Sequence, residues 1–154
     1  MEKFNECIDA LEGKRITSIV RALDELIVEL ENGEITLHIL SKWRIVSQDK
    51  DNIRVAAMDV YLPADGKDYS DDFQWEKVGE TMFDDKMQAW FEKSTPLYIK
   101  ECSVSKYGDL FIELSCLDCW EIYVDVSNEV ECWYICQQGK KDKIGVGGKG
   151  YYIV

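Results

Sequence analysis

Hydrophobic positions recur along this chain at two different periods, and the changes of period divide it into elements. Phe4, Cys7, Ile8 and Leu11 stand at i, i+3, i+4 and i+7, the spacing of one helix face, and Gly13 follows where a helix would stop. The period then falls to two. Residues 16–21 and 26–30 read as strands, and Ile35, Leu37 and Ile39 share one face of a third, because successive side chains of a strand point to opposite sides. Between the second and third, Asn32-Gly33 is the favoured dipeptide of a type I′ hairpin, since both residues tolerate positive φ. The segment Trp43-Arg44-Ile45-Val46 follows, and residues 52–62 read as a further strand stopped by Pro63.

Residues 64–80 are rich in Asp, Gly, Lys and Ser and read as an exposed acidic loop. Thr81 then caps a helix, with Asp84 where a capping box carries Glu. Met82 or Phe83, Met87, Trp90 and Phe91 form its apolar stripe, and Pro96 follows its end, which places the helix near 81–93. From Leu97 the strand pattern returns and runs to Val154.

The two strand regions match each other in three blocks taken in the same order. Residues 25–30 match 109–114, residues 34–39 match 121–126, and Trp43-Arg44-Ile45 matches Trp133-Tyr134-Ile135. Slips between blocks fall at turns, where insertions cost little. A meander with one apolar face cannot stand alone. The expectation is therefore a single domain over 1–154 of α+β class, mostly β, with an internal repeat at approximately 14–46 and 97–136. The two duplicated antiparallel meanders form a bent sheet or half-barrel, joined by a short N-terminal helix and the helix near 81–93.

Composition narrows the chemistry. The net charge of −12 argues against nucleic acid and anionic membrane surfaces, which require clustered Lys and Arg, and is compatible with a basic partner protein. No apolar run approaches the roughly 20 residues of a spanning helix. The opening residues have neither a cationic lead nor an apolar stretch, so no signal peptide is expected. Six cysteines in that setting suit a reducing, cytoplasmic compartment.

Cys116, Cys119, Cys132 and Cys136 have spacings near those of zinc ligand pairs. They form an alternative reading as a zinc-binding or redox-responsive site, beside their reading as small buried hydrophobes. Cys7 and Cys102 read as core filler. His38 is the only histidine, so histidine metal sites are nearly excluded, and a structural imidazole bonded to backbone or a carboxylate is the leading role. Asp65, Asp68, Asp71 and Asp72 crowd one loop with Glu76 but lack the spacing and closing Glu of an EF-hand. The glycine-rich stretch 139–150 lacks the Gly-Lys-Ser/Thr ending of a phosphate loop and reads as a hairpin. Trp43 and Trp133 read as core, and Trp75, inside the acidic loop, as an exposed anchor for a partner.

The order of motifs resembles a family of small bacterial proteins. Leu37-His38-Ile39, Trp43-Arg44-Ile45, Gly108-Asp109-Leu110, residues 122–125 and Glu131-Cys132-Trp133 carry the resemblance. The chain departs from the pattern at 116–119, where the family tends toward an Asn-Gly turn, and at Tyr134, where Arg is common. Some such acidic proteins look like immunity partners of toxins, and the resemblance implies no catalytic residues and no cofactor. The expectation is a non-enzymatic protein-binding module, such as an immunity-type inhibitor of a basic toxin, acting through Asp65, Asp68, Asp71, Asp72 and Trp75. Its oligomeric state is left open by the sequence.

Overall fold

The two periods correspond to two helices and eleven strands in a computed structural model, which describes residues 1–49, 51–70 and 72–154. In chain order these are α1 (Glu2–Asp9), β1 (Arg15–Ala22), β2 (Glu25–Leu30), β3 (Ile35–Ile39), β4 (Trp43–Ser47) and β5 (Ile53–Ala56). Then come α2 (Met82–Ser94), β6 (Leu97–Val104), β7 (Leu110–Leu114), β8 (Asp118–Ile122), β9 (Glu131–Gln137), β10 (Lys143–Gly147) and β11 (Gly150–Ile153). All eleven strands join one antiparallel sheet that does not close, in the order β11-β10-β9-β3-β2-β1-β6-β7-β8-β4-β5. No helix among the described residues is long and apolar enough to cross a membrane.

β1-β2-β3 and β6-β7-β8 form the two expected meanders, which meet at the centre where Arg15 pairs with Tyr98 and Ile16 with Leu97. The tryptophan strands then cross over. β4 pairs with β8 of the later meander, and β9 pairs with β3 of the earlier one. Each half of the chain thus supplies the strand that extends the other half's meander.

Strand parity fixes what is buried. Leu26, Val28 and Leu30 of β2, Ile35, Leu37 and Ile39 of β3, and Leu110, Ile112 and Leu114 of β7 are each at most 2% exposed. Their faces join Trp43, Trp120 and Trp133 in one core. Each helix contributes a phenylalanine to a crossed-over tryptophan: Phe4 lies 6.3 Å from Trp133, and Phe83 lies 5.9 Å from Trp43. The indole N–H groups of Trp133 and Trp90 donate to Gly108 O and Asp118 Oδ2, both at 2.9 Å, so these rings bury area without stranding a donor.

Three local expectations shift. Residues 57–61 leave the strand expected over 52–62, because the Asp59 carboxylate accepts from Ala56 N at 3.0 Å and starts a 3₁₀ turn at Ala57–Tyr61. The Asn32-Gly33 hairpin forms in the expected register, with Leu30 opposite Ile35, positive φ at Gly33 (94°) as at Asn32, and Glu34 N donating to Glu31 O at 3.3 Å, but Glu31 and Glu34 fall outside the strands. Glu31 and Glu34 would face each other there, and like charges repel across a ladder. Glu31 instead accepts from Arg15 N at 2.8 Å, while Glu31 and Asn32 take φ of 50° and 58°. Finally, Trp43 pairs with Ile122 and Trp133 with Ile39. The counterpart of Ile39 is therefore Ile122 rather than Val126, and residues 123–126 lie outside any strand. The turn at Leu117 (φ 73°) and the bond from Val124 N to Asp109 Oδ1 at 2.8 Å account for that displacement.

The glycine-rich stretch is a hairpin, β10 to β11. A Cβ at Gly148 would collide with the carbonyl oxygens of Val126 and Asn128, so close backbone approach accounts for glycine at that position.

Because neither meander holds its own outer strand, separately produced chains 1–80 and 81–154 are each expected to lack native near-ultraviolet tryptophan dichroism. Mixing them is expected to restore it. A native signal from either piece alone would show that the exchange is dispensable.

Candidate functional site

The acidic loop leaves the body of the protein and returns at one fixed place. Pro63 bridges to Thr81, Ala64 N donates to Glu80 O at 3.1 Å, and Met82 N donates to Leu62 O at 2.8 Å. Thr81, fully buried, begins α2 with the expected capping box: its hydroxyl accepts from Asp84 N, and the Asp84 carboxylate accepts from Thr81 N at 3.1 Å.

Arg21 reaches the same carboxylate from β1. Its Nε and one terminal nitrogen grip the two Asp84 oxygens at 2.7 and 2.9 Å, and the remaining donors reach Leu23 O and Lys77 O at 2.9 and 2.8 Å. The Arg21 and Asp84 side chains are 1% and 9% exposed. Asp84 also accepts from Gly79 N at 2.8 Å. One buried carboxylate therefore joins β1, the returning end of the loop and the helix. Burial alone would raise its pKa. The opposing Arg21 contacts and the Thr81 and Gly79 amides outweigh that and hold it below the usual carboxylate value. Arg21 was not legible in the sequence, because a bulge between Ile16 and Ser18 breaks the parity that would have marked it as inward-facing.

Of the residues expected to meet a partner, Asp65, Asp68 and Asp72 are exposed, and Asp71 lies outside the described residues. Ion pairing within the loop, among the described residues, is confined to Lys67 with Glu80 at 2.9 Å. Trp75 is half-buried rather than projecting, because its ring packs edge-on against Tyr61 at 4.9 Å. Tyr61 in turn donates to Asp24 at 2.6 Å, which with burial pushes its pKa up to about 12. Tyr69 and Val78, at 69% and 73% exposed, are the loop's outward apolar groups.

His38 meets a carboxylate, one of the two kinds of partner expected for it. Its Nδ1 lies 3.0 Å from Glu25 Oε1, and its ring stacks at 4.3 Å on Tyr134 of the crossed-over β9. Lys143 lies 4.1 Å from that tyrosine ring and pairs with Glu131 at 2.8 Å. A polar row thus crosses β2, β3, β9 and β10 on the sheet's outer face, tying the exchanged strand to its host.

The cysteine alternative meets a topological obstacle. Cys119 is on β8 and Cys116 on the turn before it, whereas Cys132 and Cys136 are on β9, with five strands between β8 and β9 in the sheet order. The four thiols do not converge, and no group of three or more His, Cys, Asp or Glu suited to a metal exists among the described residues. Burial raises the thiol pKa of Cys116, Cys132 and Cys136, which opposes thiolate chemistry at neutral pH.

Comparison with family models, with curated proteins and with solved structures gives no match for this chain.

Asp84→Ala is expected to destabilise the fold by about 3–5 kcal/mol, because it leaves Arg21 buried without its partner; urea denaturation measures it. The folded pKa of Asp84 is depressed, so its contribution is complete above the unfolded value of about 3.9. It is lost as pH falls through the lower folded value. Melting curves of the Asp84→Asn variant are expected to lack that part of the acid limb. Elemental analysis after equimolar zinc and desalting is expected to find less than about one zinc per chain.

Proposed function

We propose that this protein is a non-enzymatic binding module that recognises a basic partner protein through the loop at 64–80. Its manner would be that of an immunity-type inhibitor covering the positive active site of a toxin. The observation that carries this reading is the combination of a firmly anchored loop base with exposed Asp65, Asp68 and Asp72 left outside internal ion pairs among the described residues. Carboxylates so placed cost the free protein little and are available to an opposing Lys or Arg. A net charge of −12 adds a long-range field that speeds encounter with a positive surface. Tyr69 and the half-buried Trp75 supply apolar contact within the same loop. The six thiols and the resemblance to small bacterial proteins suit a bacterial cytoplasm.

A pull-down from bacterial lysate tests the reading with the intact chain and with a variant carrying Asp→Asn at 65, 68, 71 and 72. The intact chain is expected to recover a basic protein whose association is about 10-fold slower with the neutralised loop, and the difference should fade as salt rises. Recovery that is equal for both chains, or no partner at all, would sink the proposal.

A further inference from the structure

The two edges at the centre of the sheet are treated differently. β6 runs on past its two-residue pairing with β1, and the segment leaving α1 covers it there. Gly13 N donates to Ile99 O at 2.7 Å, Ile99 N donates to Lys14 O at 2.9 Å, and the Glu12 carboxylate accepts from Cys102 N at 3.3 Å. β1 likewise runs on past Ile16, but from Ser18 to Ala22 it pairs with β2 alone, with no backbone partner on its other side among the described residues. The β1–β2 hairpin closes on Ala22 opposite Glu25 around a two-residue turn. In such a hairpin the closing pair is hydrogen-bonded and the bonding alternates thereafter. The N–H and C=O of Ile19 and Arg21 therefore face away from β2, toward α2.

What lies beside that edge is a groove of about 460 Å³ between β1 and α2, lined by Ile19, Val78, Met87 and Phe91 and bridged at one end by Arg21 and Asp84. Asp85, Gln88 and Glu92, spaced i, i+3 and i+7 on α2, form its rim. Lys86 and Lys93 fall on the neighbouring stripe and are not part of the lining. Open main-chain groups, an apolar floor and an acidic rim thus coincide, and α2 packs instead against β5 and the 3₁₀ turn.

We propose that this groove takes an extended segment of the partner as an added β-strand antiparallel or parallel to β1, with alternate apolar side chains on Phe91 and Val78 and Lys or Arg opposite Asp85 and Glu92. The inference rests on the reading of the chain as a module for a basic partner, and names the mode of recognition: main-chain pairing gives affinity, while pocket and rim give selectivity. An extended acidic segment is excluded by the rim, and an extended apolar one lacks a counter-charge for it.

The probe is a terminally blocked peptide of alternating Lys and Val, titrated into the full chain and followed by amide NMR. Three companions accompany it: the same peptide N-methylated at alternate residues, an alternating Glu-Val peptide, and protein variants Asp85→Lys/Glu92→Lys and Ile19→Pro. In the free protein the amides of Ile19 and Arg21 are expected to exchange fast and that of Val20 slowly. The Lys-Val peptide is expected to shift Ile19, Arg21 and Phe91, and to bind about 10-fold more weakly when N-methylated, with either variant, or with Glu in place of Lys. N-methylation leaves the protein untouched, so a folding defect in Ile19→Pro does not decide the result. Protected Ile19 and Arg21 amides, shifts confined to the outer edges β5 or β11, indifference to N-methylation, or no shifts at millimolar peptide would each overturn the inference. Failure here with a loop-dependent pull-down removes the groove and leaves the loop. Failure of the pull-down with success here removes the loop as the recognition element.

Discussion

The exchange of β4 and β9 between the two meanders is the constraint on which the other features of this structure depend. At the centre, β1 and β6 share two paired residues, too short a seam to hold two sheets together. Cohesion comes instead from the strands that cross over. β4 brings Trp43 beside Trp120 and beneath Phe83, and β9 brings Trp133 beneath Phe4. Removing either crossed-over indole, Trp43 or Trp133, would cost about 3–5 kcal/mol, and each is reached only after the chain has left its own meander. The single core is thus a consequence of topology as much as of composition.

That topology also explains where unoccupied surface is left. Two splayed central strands need covering on both sides. The exit of α1 does this for β6, while α2 turns toward β5 and the 3₁₀ turn and leaves β1 open. The Arg21–Asp84 pair holds the gap at a fixed width and anchors the acidic loop at the same point. Buried ion pairs contribute little net stability against an apolar substitute. This one does something an apolar pair would not, because its five contacts with main-chain and side-chain groups fix the direction in which the loop leaves.

Much of this was legible from local signals. Thr81 with Asp84 marked the helix start, Asn32-Gly33 the hairpin, and the alternation of Leu26, Val28 and Leu30 the inward face, because each depends on neighbours within a few residues. The match of Trp43 with Trp133 is local as well, since both strands meet equivalent isoleucines. The exchange was not visible, because pairing between residues about a hundred positions apart leaves no periodic trace in either segment. The cysteine pairs misled for the same reason: spacing within each pair is local, whereas the distance between pairs is set by five intervening strands. Trp75 reads as exposed because its loop is polar, whereas in the fold it packs against the core and against Tyr61, from a 3₁₀ turn that Asp59 creates.

The crossed-over strands set an order of events during synthesis. When β3 emerges from the ribosome its outer edge has no partner, and none arrives until β9 has been made. Through that interval the nascent chain carries an open, apolar strand edge of the kind that joins other chains. Two molecules caught in this state can trade β9 and close on each other as readily as on themselves. The same exchange that unites the finished fold therefore makes its assembly sensitive to how many copies are being translated side by side.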